Sequence, residues 1–180
     1  GNIPPACGTG GGDTDGLTFD GTNFWKTDRI GQTLCKITKA GGLITSYPTT
    51  NAYCVEYANG YLWMTTLASN RIRKMNKTGQ VLSVFDLPSY CDPISLGWSG
   101  DSFWVSASGT NLVRVTTNGT VIQNVHLPFA SAYGVAYDGV NLWVGRQIGP
   151  PATIVRLKMT AIPQSFAGPT NLGNGRMRGA

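Results

Sequence analysis

Tyr133-Gly134-Val135-Ala136-Tyr137-Asp138-Gly139-Val140-Asn141-Leu142-Trp143-Val144 reads as a strand, a tight turn and a second strand. Its Asp-Gly turn carries the residues that tolerate a sharp reversal between strands. The tryptophan of this stretch recurs as Trp25, Trp63 and Trp104, so that successive tryptophans lie 38, 41 and 39 residues apart. Six positions before each stands an aromatic residue (Phe19, Tyr57, Trp98, Tyr137), and eight before stands an aliphatic one (Leu17, Val55, Leu96, Val135). The residue just before each tryptophan is Phe24, Leu62, Phe103 or Leu142. Linked positions that recur with a period near 40 residues mark a repeat architecture, a propeller or a solenoid.

Each unit divides into four strands. The first carries the aliphatic and the aromatic residue, and the second runs through the tryptophan. The third is apolar-x-basic-apolar (Leu34-Cys35-Lys36-Ile37, Ile72-Arg73-Lys74-Met75, Leu112-Val113-Arg114-Val115, Ile154-Val155-Arg156-Leu157). The fourth follows a glycine turn in the first three units, at Gly41, Gly79 and Gly119. Second strands apolar at successive residues need cover on both faces, as in a blade stacked between two others. The third and fourth strands are expected to alternate more, as outer strands do. Pro48, Pro88, Pro128 and Pro163 suit the exits from the units, because proline has no N–H to give a ladder. The expected fold is all-β: a four-repeat β-propeller of four-stranded antiparallel blades, as a small closed ring or as an arc completed by oligomerisation. The blades are expected at about 14–50, 51–90, 91–130 and 131–163, with a tail at 1–13 that could supply a closing strand and a glycine-rich tail at 164–180.

Composition narrows the function classes. The net charge of +5 reflects only 9 acidic residues against 14 scattered bases, and the one local cluster is Arg71, Arg73, Lys74 and Lys77. A nucleic-acid footprint needs a denser phosphate-neutralising stripe, so no nucleic-acid partner is expected. No run of 18 apolar residues predicts membrane insertion, and no charged start followed by an apolar stretch marks a signal peptide. Cys7, Cys35, Cys54 and Cys91 form no CxxC pair, which argues against zinc. Their even number permits disulfides, and Cys54 and Cys91 fall near repeat starts, but free buried thiols are the reading adopted.

The stretch from Tyr133 to Val144 resembles a blade of the NHL-type and virginiamycin B lyase-like propellers, as does Gly16-Leu17-Thr18-Phe19-Asp20-Gly21-Thr22-Asn23-Phe24-Trp25. Asn70-Arg71-Ile72-Arg73-Lys74-Met75 resembles the third strand of such a blade. The resemblance spans about residues 14–163 and speaks for architecture, since such blades serve many activities. It implies six or more blades where four are present here, so two chains could form a larger ring. In the lyase and lactonase relatives it implies a metal or acid–base site at the central channel.

The residues offer little for such chemistry. The inner-strand position after the aliphatic residue is Thr18, Glu56, Gly97 or Ala136, so Glu56 alone is ionisable. One carboxylate does not hold a divalent ion. Glu56 is therefore read as a polar channel residue, with a perturbed pKa as the sign of function. His126, the one histidine, falls at the end of an outer strand and is read as a surface or edge histidine, since a general base should sit in a pocket beside its substrate. Gly8-Thr9-Gly10-Gly11-Gly12 lacks the Gly-Lys-Ser/Thr of a phosphate loop. Asp20, Asp101 and Asp138 are expected to cap their own turns, and the sequons at Asn76 and Asn118 are read as turn asparagines. No catalytic residue, metal site or cofactor is expected.

The candidate binding surface is the face of the blade-to-blade loops, with Tyr53, Tyr133, Tyr90, Phe129, Arg29, Arg71 and Arg146. Aromatics with arginine suit protein or glycan contacts. The tails show neither strand nor helix periodicity, and residues 171–180 are expected to touch another chain through Arg176 and Arg178. The function expected is a non-enzymatic structural or binding propeller whose partners are protein subunits of a larger assembly, such as a virion or extracellular surface layer. The alternatives are a stand-alone carbohydrate- or protein-binding module and a lyase- or lactonase-like enzyme.

Overall fold

A computed structural model describes residues 7, 14–67, 69–107, 109–130, 132–146 and 153–158. Blade 1 is the sheet β1 (Thr14–Phe19), β2 (Phe24–Asp28), β3 (Thr33–Ile37) and β4 (Leu43–Pro48), in that order. Blade 2 holds β5 (Ala52–Ala58), β6 (Tyr61–Thr66), β7 (Arg71–Met75) and β8 (Val81–Asp86). Blade 3 holds β9 (Pro93–Trp98), β10 (Ser102–Ala107), β11 (Asn111–Thr116) and β12 (Val121–His126). Blade 4 shows three strands among the described residues: β13 (Ala132–Tyr137), β14 (Asn141–Arg146) and β15 (Thr153–Lys158). Every pairing is antiparallel between sequence neighbours, and the first strands β1, β5, β9 and β13 lie innermost and pack in turn. The fold is a four-blade propeller arrangement, as the repeat predicts.

Three apolar clusters join successive blades. Trp25 and Leu34 of blade 1 pack on Val55, Leu62 and Met64 of blade 2. Trp63 and Ile72 pack on Leu96, Phe103 and Val105 of blade 3. Trp104 and Leu112 pack on Val135, Leu142 and Val144 of blade 4. Each blade thus has a back face, carrying the tryptophan, and a front face, carrying the aliphatic residue of its first strand. Aromatic residues of the fourth strands complete two of these contacts: Tyr47 stacks on Trp25 with ring centroids 6.0 Å apart, and Phe85 stacks on Trp63 at 5.9 Å. The glycine of the next blade's hairpin makes room. A Cβ on Gly119, where φ is +87°, would lie 2.9 Å from Phe85 Cβ, closer than side chains tolerate.

Hydrogen bonds tie the inner strands across the same junctions. Tyr57 N–H donates to Thr18 Oγ1 at 3.0 Å, and Val135 N–H donates to Ser95 Oγ at 3.3 Å.

The structure corrects three expectations. Cys7 and Cys35 form a disulfide, leaving Cys54 and Cys91 as the free thiols. Repeat position says nothing of Cys7, which lies outside the repeat; the chain brings it onto the front face of blade 1, beside Ile37 and Phe24. The third strands β3, β7 and β11 do not alternate cleanly, because neighbouring blades cover both faces of β7 and β11, and blade 2 and Cys7 cover the two faces of β3; the fourth strands β4 and β8 do. Trp25, Trp63 and Trp104 are fully buried, whereas Trp143 is half-buried, because among the described residues no blade packs on the back of blade 4. Apart from Cys7, Thr14 and Asp15, the residues of the N-terminal tail and its approach, and all of 164–180 including Arg176 and Arg178, lie outside the described residues.

Candidate functional site

The four first strands surround a cavity of about 420 Å³. Because their side chains alternate, Val55, Leu96 and Val135 face the preceding blade, Leu17 lies on the same face of blade 1, and the intervening positions turn the other way. Glu56 occupies one of those positions and supplies the only carboxylate among the described residues of the lining, beside Cys54, Ser95, Tyr133 and Trp143. Burial raises its pKa to about 7, against the pull of a hydrogen bond from the Trp98 backbone N–H. The bond to Trp98 repeats what Thr18 does for Tyr57 one blade earlier. Glu56 is thus both an inter-blade tether and an acid poised near neutrality. It is the perturbed acid that the sequence reading set as the mark of function. Cys54, in the same lining, is pushed up by burial and remains a thiol. Among the described residues no group of three or more His, Cys, Asp or Glu side chains is placed to hold a metal ion.

The end faces of the propeller form a second candidate site. Leu17 is 58% exposed, although its counterparts Val55, Leu96 and Val135 are 1%, 3% and 8% exposed. Ile154 is 75% exposed, against 0%, 2% and 0% for Leu34, Ile72 and Leu112. On the front of blade 1, Leu17, Phe24, Ile37, Thr38, Lys39 and Gly41 line a hollow of about 170 Å³. Lys26, where the other blades carry Met64, Val105 and Val144, is buried there and donates from Nζ to the Cys7 carbonyl at 2.9 Å. The disulfide with Cys35 and this bond hold Cys7 against the face as a partial lid.

The seven predicted binding residues lie at the loop end of the sheets, but the structure joins several of them to partners within the chain. The Arg29 guanidinium lies 5.9 Å from the Tyr53 ring centre, and that of Arg146 lies 5.7 Å from Phe129. Arg71 pairs with Asp86 at 2.6 Å, with both side chains largely in solvent. Tyr90 and Tyr133 are exposed, and Tyr133 also borders the axial cavity. His126 is exposed at the end of β12, where Thr110 Oγ1 meets its ring.

Sequence reasoning missed two patterns. A basic residue of the third strand lies over the tryptophan ring of its own blade: Lys36 over Trp25 at 5.3 Å, Lys74 over Trp63 at 5.3 Å and Arg114 over Trp104 at 5.8 Å. The fixed interval of ten or eleven residues between them is the signal that could have shown it. The turn aspartates also do more than cap. Asp20 Oδ1 accepts the Thr22 and Asn23 N–H groups, while Oδ2 accepts Trp25 Nε1 at 2.9 Å and meets Lys77 Nζ of blade 2 at 3.4 Å. Burial opposes its charge, but these donors bring its pKa down to about 2. Asp138 repeats the arrangement, capping Val140 and Asn141 and accepting Trp143 Nε1 at 2.6 Å. Asp101 departs from the expectation. It binds the Ser102 and Ser99 hydroxyls and Arg114, with no turn N–H bonded to it.

No family model and no curated protein matches the sequence. Solved structures share the fold. A catalytically inactive virginiamycin B lyase from Staphylococcus aureus with quinupristin superposes with a TM-score of 0.60 at 20% identity. The match covers 82% of this chain and 56% of the lyase, so the chain spans little more than half of that protein. Glutaminyl cyclase from Myxococcus xanthus matches at TM-score 0.63 and 12% identity, over 79% of this chain and 73% of the cyclase. A nidogen/laminin complex matches at 0.65 and 14%, over 83% of this chain and 60% of that one. At such identities the likeness is one of fold, shared by enzymes and binding proteins alike.

Proposed function

We propose that the chain is a non-enzymatic binding propeller that works as a structural unit of a larger protein assembly, with a virion or an extracellular surface as its setting. The observation that carries this reading is the exposure of Leu17 and Ile154 at positions buried in every internal junction. Single exposed apolar residues are ordinary; two faces built like buried junctions that no blade covers among the described residues are the signature of a protein contact. Tyr90 and Tyr133 on the loop face, with Arg176 and Arg178 of the C-terminal tail, are the further contacts proposed. Removal of residues 168–180 is expected to leave the blades folded and to weaken assembly. The test is the native mass of the protein in material from its source. A particle well above 19.2 kDa supports the reading, and a free chain of that mass sinks it.

Glu56 favours a second reading, in which the axial cavity binds or turns over a small ligand, as a lyase-like enzyme would. Quinupristin, present in the similar lyase structure, is the substrate to try. Turnover that disappears in Glu56→Gln would establish this reading in place of the first.

A further inference from the structure

We infer that the partner at the end faces is a second copy of this chain, joined head to tail, the back of blade 4 of one copy on the front of blade 1 of the other. This inference rests on the assembly reading and names its partner. Its ground is that the two end faces carry the residues of a junction that the structure already contains, the one between blades 1 and 2.

In that internal junction the back face presents Asp20, bonded to Trp25 Nε1, and the front face presents Lys77 from the β7–β8 turn, 3.4 Å from Asp20. The back of blade 4 presents the same pair: Asp138 accepts Trp143 Nε1 at 2.6 Å, and among the described residues no lysine or arginine pairs with Asp138. On the front of blade 1, in the β3–β4 turn, Lys39 holds the position that Lys77 holds in blade 2. Acid and base therefore match across the two open faces, as they do inside the molecule. Charge complementarity of this kind fixes register and discriminates against wrong partners.

The apolar parts match as well. Gly41 of blade 1 corresponds to Gly79 of blade 2, whose absent Cβ makes room for the ring of Tyr47. On blade 1 the same place is the hollow of about 170 Å³. Ile154 and Trp143 correspond to Leu34 and Trp25, the residues that enter blade 2. Cys7 fits the scheme too. It precedes Leu17 by ten residues, as Val125 of β12 precedes Val135. It packs with Cys35 and Ile37 on the front of blade 1, the face that in blade 4 receives Val125 from the blade before.

Closure within one chain does not make this junction. Leu17 and Ile154 of one chain line the same cavity, and each stays largely exposed there. A contact between different faces of identical chains closes into a ring when its rotation permits.

The experiment uses the purified full chain alone. Light scattering should give a multiple of 19.2 kDa. In a mixture of isotope-labelled and unlabelled copies, carbodiimide should couple Lys39 to Asp138 in peptides that combine the two labels. Ile154→Asp and Leu17→Asp alter exposed side chains, so the blades should keep their circular dichroism while the mass falls to that of one chain. A wild-type monomer overturns the inference, as does coupling confined to single chains, or an assembly that survives both variants. If the pure chain is monomeric while source material holds it in a larger particle, the partner is a different protein and only the assembly reading stands.

Discussion

Glu56 shows how a single position acquires chemistry from its neighbours. An acid with a folded pKa of about 7 and an unfolded one near 4.3 binds more protons folded than unfolded between those values. Folding stability should therefore fall as pH rises from about 4 to 7, by at most roughly 4 kcal/mol. Urea titrations at several pH values should show this slope in the wild type and lose it in Glu56→Gln. Trp25 and Trp143 offer a comparison at the same scale. Trp25→Ala should cost about 3–5 kcal/mol, as for other large core residues, and Trp143→Ala roughly half of that in the monomer, since Trp143 is only half-buried. Equal losses in denaturation would mean that the back of blade 4 is covered after all. The repeat made the place of each residue legible: Glu56 could be assigned to the inner strand from its distance to Trp63. Its pKa could not be read, because the burial that raises it comes from strands of other blades.

Hairpins and the disulfide set the behaviour of the elements. Gly119 and Gly139 both have positive φ, +87° and +94°, but only Gly119 faces another blade; nothing lies within 4 Å of a Cβ on Gly139. Alanine at Gly139 should cost about 1 kcal/mol through backbone strain alone, and at Gly119 clearly more, because Phe85 must also move. Matching losses in thermal melts would deny Phe85 its part in the junction. The Cys7–Cys35 link spans 28 residues of sequence, and its replacement by serines should cost about 3–4 kcal/mol by the loop-entropy estimate. Strand order and turns were legible because each blade is built from short local reversals. The disulfide was not, because Cys7 precedes the first repeat and its target, Cys35, is defined only once the chain has folded back over blade 1.

Across the whole molecule, the number of covered faces differs from blade to blade. Blades 2 and 3 are sandwiched, blade 1 is partly covered by Cys7, and the back of blade 4 is open among the described residues. Stability in such a stack is nearly a sum over neighbours. Amide exchange should be slowest in β6, β7, β10 and β11 and fastest in β14 and β15; uniform protection across the blades would contradict this. Four repeats were legible from four tryptophans, whereas the fate of the end faces was not, because a repeat shows what each blade offers and leaves open what meets the first and last. The neighbour-to-neighbour build bears on biosynthesis. Each junction draws its residues from one blade and the next, a span of roughly two periods. A ribosome that emits about 5–20 residues per second takes seconds to deliver each new blade, whereas hairpins close in microseconds. Every blade therefore finds its predecessor already folded, and the nascent chain never holds more than one open back face for its successor to cover.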